Sequence, residues 1–210
     1  MKNKRIISLL LIISLALSAL TLFSCKKSPA YPEEEIIEAA ERLIKEAEKI
    51  NSIYFGSGIP YLDEGEGNYK KADPVWLSEN GIETTDDLKE MTTKVYSEEY
   101  SEYLFEIMLA SVKTDTAVAS YASYIDTDAG ILVYTKRTDY IKGELEYHLD
   151  KISVEENTEE RVRVSVSVTV TNEEGSSQER KKSFNMVKTG ESWHLDSGTF
   201  LTYNNQTSEK

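Results

Sequence analysis

Residues 161–171 set the strongest constraint on the fold. Val162, Val164, Val166, Val168 and Val170 alternate without a break with Arg161, Arg163, Ser165, Ser167, Thr169 and Thr171. A period of two with β-branched residues on one side specifies a strand with one buried and one wet face. Such a strand belongs to an antiparallel sheet covered on one side only. The flanking segments fit this sheet. Asn172 to Ser176 reads as a turn, Gln178 to Val187 as the returning strand, and Trp193 to Phe200 as the closing one. Upstream, Ile141 to Val154 reads as a long, bent strand. Tyr121 to Ile125 and Ile131 to Lys136 read as a hairpin around Asp126-Thr127-Asp128-Ala129-Gly130.

The cover for the sheet comes from the first half. Ile36, Ala40, Leu43, Ile44, Ala47 and Ile50 recur at helical spacing, with Pro32 just ahead and Glu33, Glu34 and Glu35 in the first turn. A helix over about 33–53 follows. Thr84-Thr85-Asp86-Asp87 starts a second helix, continued by Leu88, Met91 and Val95. Ser97-Glu98-Glu99 starts a third, with Tyr100, Tyr103, Leu104, Ile107 and Met108 as its apolar face, to about Ala110. Between them, residues 54–81 are punctuated by Gly56, Gly58, Pro60, Gly65, Gly67, Pro74 and Gly81 and read as irregular. The expected fold is therefore α+β: N-terminal helices packed on a curved antiparallel sheet of about five to six strands. One helix laid on a curved sheet makes a cone whose open end is a natural cleft.

The N-terminus carries an address. Lys2, Lys4 and Arg5 precede an apolar run from Ile6 to about Phe23, the pattern of an export signal. An uncleaved anchor helix is the alternative, since the run approaches the roughly 20 residues that span a bilayer. Leu22-Phe23-Ser24-Cys25 favours cleavage: an aliphatic residue at −3, a small one at −1, then the thiol that accepts diacylglycerol. The expectation is a signal peptide over 1–24, lipid on Cys25, a tether over 25–32, one domain over 33–203 and a disordered tail over 204–210. The tether after Cys25, seven residues, spans at most about 25 Å. The protein is thus expected at the cell membrane, lipid-anchored and extracytoplasmic. Lys26 and Lys27 stand ready for anionic headgroups.

Charge and cysteine usage narrow the function. Cys25 is the sole cysteine, so no intramolecular disulfide forms and no thiol remains for catalysis. The chain carries −13, of which residues 1–24 contribute +3, so residues 25–210 carry −16. That surface repels nucleic acid and suits a basic partner, a cation or simple solubility. The two histidines, His148 and His194, lack metal-like spacing, and no nucleophile elbow accompanies them. Asp63-Glu64-Gly65-Glu66-Gly67-Asn68 and Asp126-Thr127-Asp128 offer carboxylates but not a full calcium loop, and read as turns. Arg180, Lys181 and Lys182 read as a charged strand edge. The reading is of a monomer without metal or cofactor, and not an enzyme.

The strand-rich half, closing in Ser192-Trp193-His194-Leu195-Asp196-Ser197-Gly198-Thr199-Phe200, resembles small cystatin-like or nuclear-transport-factor-like domains of bacterial lipoproteins. Ile50-Asn51-Ser52-Ile53-Tyr54-Phe55-Gly56-Ser57-Gly58, Thr92-Thr93-Lys94-Val95-Tyr96-Ser97 and Asp128-Ala129-Gly130-Ile131-Leu132-Val133-Tyr134 are similar in order and spacing to the inhibitor family of bacterial cell-wall DL-endopeptidases. That resemblance implies a non-catalytic domain that blocks a peptidoglycan hydrolase. Tyr54, Phe55, Tyr61, Tyr69 and Trp76 are the candidate partner-binding residues; the competing reading puts them in the core. The alternative function is a small-molecule-binding or enzymatic cone-shaped domain, with a deep pocket holding His148 or His194.

Overall fold

The computed structural model describes residues 29–111, 121–141 and 143–201. The expected signal peptide, Cys25, residues 26–28 of the expected tether and the 204–210 tail lie outside the described residues. No described helix is long and apolar enough to cross a membrane.

The chain runs through α1 (Glu33–Phe55), β1 (Tyr69–Lys71), α2 (Pro74–Asn80), α3 (Thr85–Val95), α4 (Glu98–Met108), β2 (Tyr124–Thr127), β3 (Gly130–Tyr134), β4 (Glu144–Asn157), β5 (Val162–Thr171), β6 (Ser177–Thr189) and β7 (Ser192–Leu195). Helices come first and the long strands last, so the fold is α+β as expected. The sheet differs from the expectation of one sheet with five to six strands. Among the described residues, seven strands form two antiparallel sheets, ordered β1-β3-β2 and β4-β5-β6-β7. The additional strand is β1, three residues that complete the smaller sheet by pairing Tyr69 with Tyr134, a partner distant in sequence.

The alternating valines of β5 behave as their period dictates. Val162, Val164, Val166, Val168 and Val170 are all buried. Ten consecutive pairs join β5 to β6, from Val162↔Met186 to Thr171↔Ser177. Strand β4 pairs with β5 through two register shifts, between His148 and Ser153 and between Val154 and Glu156. Bulges of this kind bend a strand and sharpen its twist.

Helix α1 packs against β4, β7 and α3. Its stripe of Ile36, Ala40, Leu43, Ile44, Ala47 and Ile50 is buried. Burial of each large aliphatic in this stripe contributes about 1.5–3 kcal/mol. The helix runs two residues beyond the expected end because Ile53, Tyr54 and Phe55 continue the buried face.

The stretch read as irregular contains β1 and the short helix α2. Asp73 caps α2, its carboxylate accepting from Val75 N at 2.9 Å, with Pro74 in the first turn and Gly81 left-handed at φ 65° past the end. The N-terminus of α3 is held by two carboxylates. Asp87 accepts from the Glu83 and Thr84 amides, both at 2.8 Å, and Asp126 of β2 accepts from Thr85 N at 2.9 Å and Thr85 Oγ1 at 2.6 Å. Asp126 thus caps a helix.

The folded unit begins at Tyr31, two residues before the expected boundary. Tyr31 N donates to Asn157 Oδ1 at 3.1 Å, and Asn157 Nδ2 donates to Tyr31 O at 2.8 Å. The Tyr31 ring meets Trp193 edge-on, centroids 4.9 Å apart. Glu35 accepts from Trp193 Nε1 at 2.8 Å and Lys188 Nζ at 2.6 Å, and Lys188 lies over both rings.

Candidate functional site: an aromatic cleft

Six large apolar side chains stand exposed among the described residues: Tyr61, Val75, Tyr103, Ile107, Tyr121 and Tyr140. Four of them, Tyr103, Ile107, Tyr121 and Tyr140, line one cleft of about 680 Å³. Isolated exposed apolar residues are ordinary, whereas their concentration in one concavity marks a binding surface.

Helix α4 supplies one wall. Its core face is Ser101, Leu104 and Met108, which leaves Tyr103 and Ile107, one turn apart, turned to water. This corrects the sequence reading, which placed both in the apolar face toward the core. Their outer flank is acidic, with Glu99, Glu102 and Glu106 beside Tyr103.

The opposite walls are aromatic pairs. Tyr121 stacks on Tyr134 with centroids 4.9 Å apart, and Tyr69 backs Tyr134 at 5.2 Å. Phe55 stacks on Phe200 at 4.3 Å, and Tyr140 meets Phe55 at 6.3 Å in an edge-on arrangement. Rings that support one another are rigid, so contact with a partner costs little side-chain entropy.

Arg137 holds this architecture together. Its side chain is only 8 % exposed. Nη1 donates to Ile53 O at 3.0 Å and to Tyr54 O at 3.4 Å, and Nη2 donates to Gly56 O. The Tyr140 and Ile141 amides donate to Phe55 O at 2.7 and 2.8 Å. Segment 137–141 therefore satisfies the carbonyls that α1 leaves open at its C-terminus, and the cation meets the negative end of the helix dipole. Gly58, at φ 75°, leaves the guanidinium its space: a Cβ there would lie 2.6 Å from the Arg137 Cζ. Tyr124, its hydroxyl donating to Ile53 O, completes the cap, and burial pushes its phenol up to about 12.

A second cleft, of about 570 Å³, opens between α1 and β4. Glu48, Asp139 and Glu173 give it an acidic rim, over Asn51, Ser52 and Tyr147. Loss of hydration raises the Glu48 carboxyl, opposed by nearby Lys45. Beneath lies a buried polar chain. Tyr96 Oη donates to Asn51 Oδ1 at 2.8 Å, Asn51 Nδ2 to Thr199 Oγ1 at 2.9 Å, and Tyr147 Oη to Thr199 O at 3.2 Å. Burial raises the Tyr147 phenol, with Glu48 adding to the effect.

Neither histidine lines either cleft. His148 pairs across strands with Ser167, yet its Nε2 meets Thr169 Oγ1 at 2.8 Å while the Ser167 hydroxyl donates to Glu179. No serine is poised on an imidazole there. His194 is half-buried, its Nδ1 without a partner, and burial followed by Arg42 lowers its pKa. Among the described residues, no group of three or more His, Cys, Asp or Glu is placed to hold a metal.

The five sequence candidates separate. Tyr54 is buried, its hydroxyl 3.1 Å from Thr92 Oγ1, and burial raises it to about 12. Phe55 is largely buried and forms part of the cleft floor. Tyr69 is half-buried behind Tyr134, donating to Ala122 O at 2.9 Å. Trp76 is half-buried against the core, and Tyr61, 50 % exposed, lies outside the cleft. Sequence reasoning did not single out Tyr103, Ile107, Tyr121 and Tyr140. The Tyr103/Ile107 pair had a signal, because it falls beside the stripe of Leu104 and Met108. Tyr140 had none, since its place depends on the Arg137 cap.

No protein-family model matches the chain, and no curated protein sequence does.

Proposed function

We propose that the protein is a membrane-anchored extracytoplasmic lipoprotein, lipidated on Cys25, whose domain binds another protein through the aromatic cleft without catalysing a reaction. The observation that carries this reading is the gathering of Tyr103, Ile107, Tyr121 and Tyr140 around one cleft. Aromatic side chains in a partly desolvated concavity are the usual energetic centre of a protein interface. The acids on α4 add complementarity to a basic partner. The resemblance noted above makes a cell-wall DL-endopeptidase the partner class to test.

The test is capture of wall proteins on the purified chain, followed by assay of peptidoglycan hydrolysis. Capture of a DL-endopeptidase and loss of its activity are expected. A Tyr103→Ala/Tyr140→Ala variant that keeps its unfolding midpoint should lose both. Capture that persists in this variant would remove the cleft from the proposal, and no effect on hydrolysis would remove inhibition.

A second reading, a small-molecule binder, rests on the acidic cleft over Asn51 and Tyr147. Calorimetry with cationic small molecules separates it from the first, because Tyr103→Ala leaves that cleft intact.

A further inference from the structure

The aromatic cleft is selective in what its lining leaves out. Beside its rings it holds no carboxylate and no side-chain amide. Of its two cations, Arg137 is committed to the carbonyls at the end of α1. Ser123 is buried, with its hydroxyl turned to the Met108 sulfur at 3.7 Å. What remains for a ligand is the Lys136 ammonium, the Thr138 hydroxyl and the phenols of Tyr103, Tyr121, Tyr134 and Tyr140. None of these phenols makes a hydrogen bond to a described residue. Tyr103 also joins the cleft to the acidic rim of Glu99, Glu102 and Glu106, which form no ion pair among the described residues.

We infer that the cleft takes a proline-rich segment of its partner in the polyproline II conformation, with a lysine or arginine beside it meeting the acids of α4. A chain in that conformation has no internal hydrogen bonds, so its carbonyls are free to accept from the phenols, while its pyrrolidine rings pack on tyrosine faces. Proline fixes φ in advance, so little conformational entropy is lost on docking. A helical segment spends its carbonyls internally and leaves the phenols unmatched. A glycan presents rows of hydroxyl donors whose strongest acceptors are carboxylates and amide carbonyls, and the cleft lining has neither. Charge sets the direction. Lys136, exposed two residues past Tyr134, repels a cation from that wall and steers the basic residue to the α4 rim. This inference rests on the cleft being a protein-binding surface and names the kind of segment it binds.

The test titrates the purified full chain, by calorimetry, with a capped oligoproline peptide of about ten residues that carries one terminal arginine. Saturable binding is expected. It should weaken about threefold or more when the arginine is replaced by glutamate, and high salt should remove that difference. Tyr103→Phe and Tyr140→Phe keep the ring and lose the hydroxyl. Each should weaken binding about threefold, the size of one hydrogen bond, at an unchanged unfolding midpoint. Tyr61→Phe, outside the cleft, should bind as the native chain does. Four results would overturn the inference: no binding, equal affinity for an alanine-rich helical peptide with the same arginine, undiminished binding by both phenylalanine variants, or binding of an N-acetylglucosamine oligomer in place of the proline peptide. Failure of the protein-binding reading is read separately, from capture of wall proteins by the Tyr103→Ala/Tyr140→Ala variant. Loss of capture without peptide binding leaves that reading standing and removes only this inference. Persistent capture with peptide binding does the reverse.

Discussion

The guanidinium of Arg137 lies against the C-terminal end of α1, its Nη1 3.0 Å from the carbonyl of Ile53. One side chain thereby closes the longest described helix and positions the segment that carries Tyr140.

Replacement of that side chain has a defined cost. Arg137→Ala strands the carbonyls of Tyr54 and Gly56, both on buried residues, and leaves Ile53 O to the Tyr124 hydroxyl alone. Each unsatisfied group costs about 1–3 kcal/mol, so a loss of about 2–5 kcal/mol is expected in urea unfolding. Arg137→Lys should recover only part, because an ammonium lacks the planar fork that reaches several carbonyls.

Asn51 and Tyr96 form a second coupled pair. Tyr96→Phe leaves Asn51 Oδ1 without its donor in a site almost closed to water, and about 1–2 kcal/mol should be lost. A double-mutant cycle with Asn51→Ala should give a coupling of about 1 kcal/mol or more. Additive losses would show that the two residues act independently.

Gly143 and Gly175 separate backbone strain from collision. Both have positive φ, 89° and 81°. A Cβ on Gly143 would sit 1.9 Å from the Thr171 carbonyl oxygen, whereas one on Gly175 meets nothing within 4 Å. Gly175→Ala should cost about 1–2 kcal/mol, the left-handed penalty alone. Gly143→Ala should cost clearly more, since the start of β4 must move away from β5. Equal thermal midpoints for the two variants would refute this.

His194 predicts a dependence on pH. Burial holds its imidazole below the ordinary 6.5, so the unfolded chain binds the proton first as pH falls. Stability from this group is therefore complete above pH 6.5 and declines as pH falls from there toward the folded-state pKa. A His194→Gln variant should show a shallower loss of unfolding free energy between pH 7.5 and 5.5. An unchanged slope would mean that another group controls that window.

The parts of the fold legible in the sequence were those with a sustained period. Val162 to Val170 announced β5, and Ile36 to Ile50 announced α1, because each pattern repeats over several turns or pleats. The signals for α2 were also present: Asp73 and Pro74 at its start and Gly81 at its end. Glycines and prolines around that short helix hid it. The second sheet was not legible, since β1 is three residues whose pairing with β3 is entirely non-local. The cleft was hidden for the same reason. Tyr103, Tyr121, Tyr140 and Phe200 come from four separate segments, and only their convergence makes a surface.

Tyr31 gives the molecule a particular mechanical character. It is bonded to Asn157 at the end of β4 and stacked edge-on against Trp193 of β7, and these are the two edge strands of the larger sheet. A pull on the chain ahead of Tyr31 is therefore borne by the sheet rather than by the first turn of α1. A load too small to break the Tyr31 clamp leaves the helix and the cleft floor at its far end undeformed.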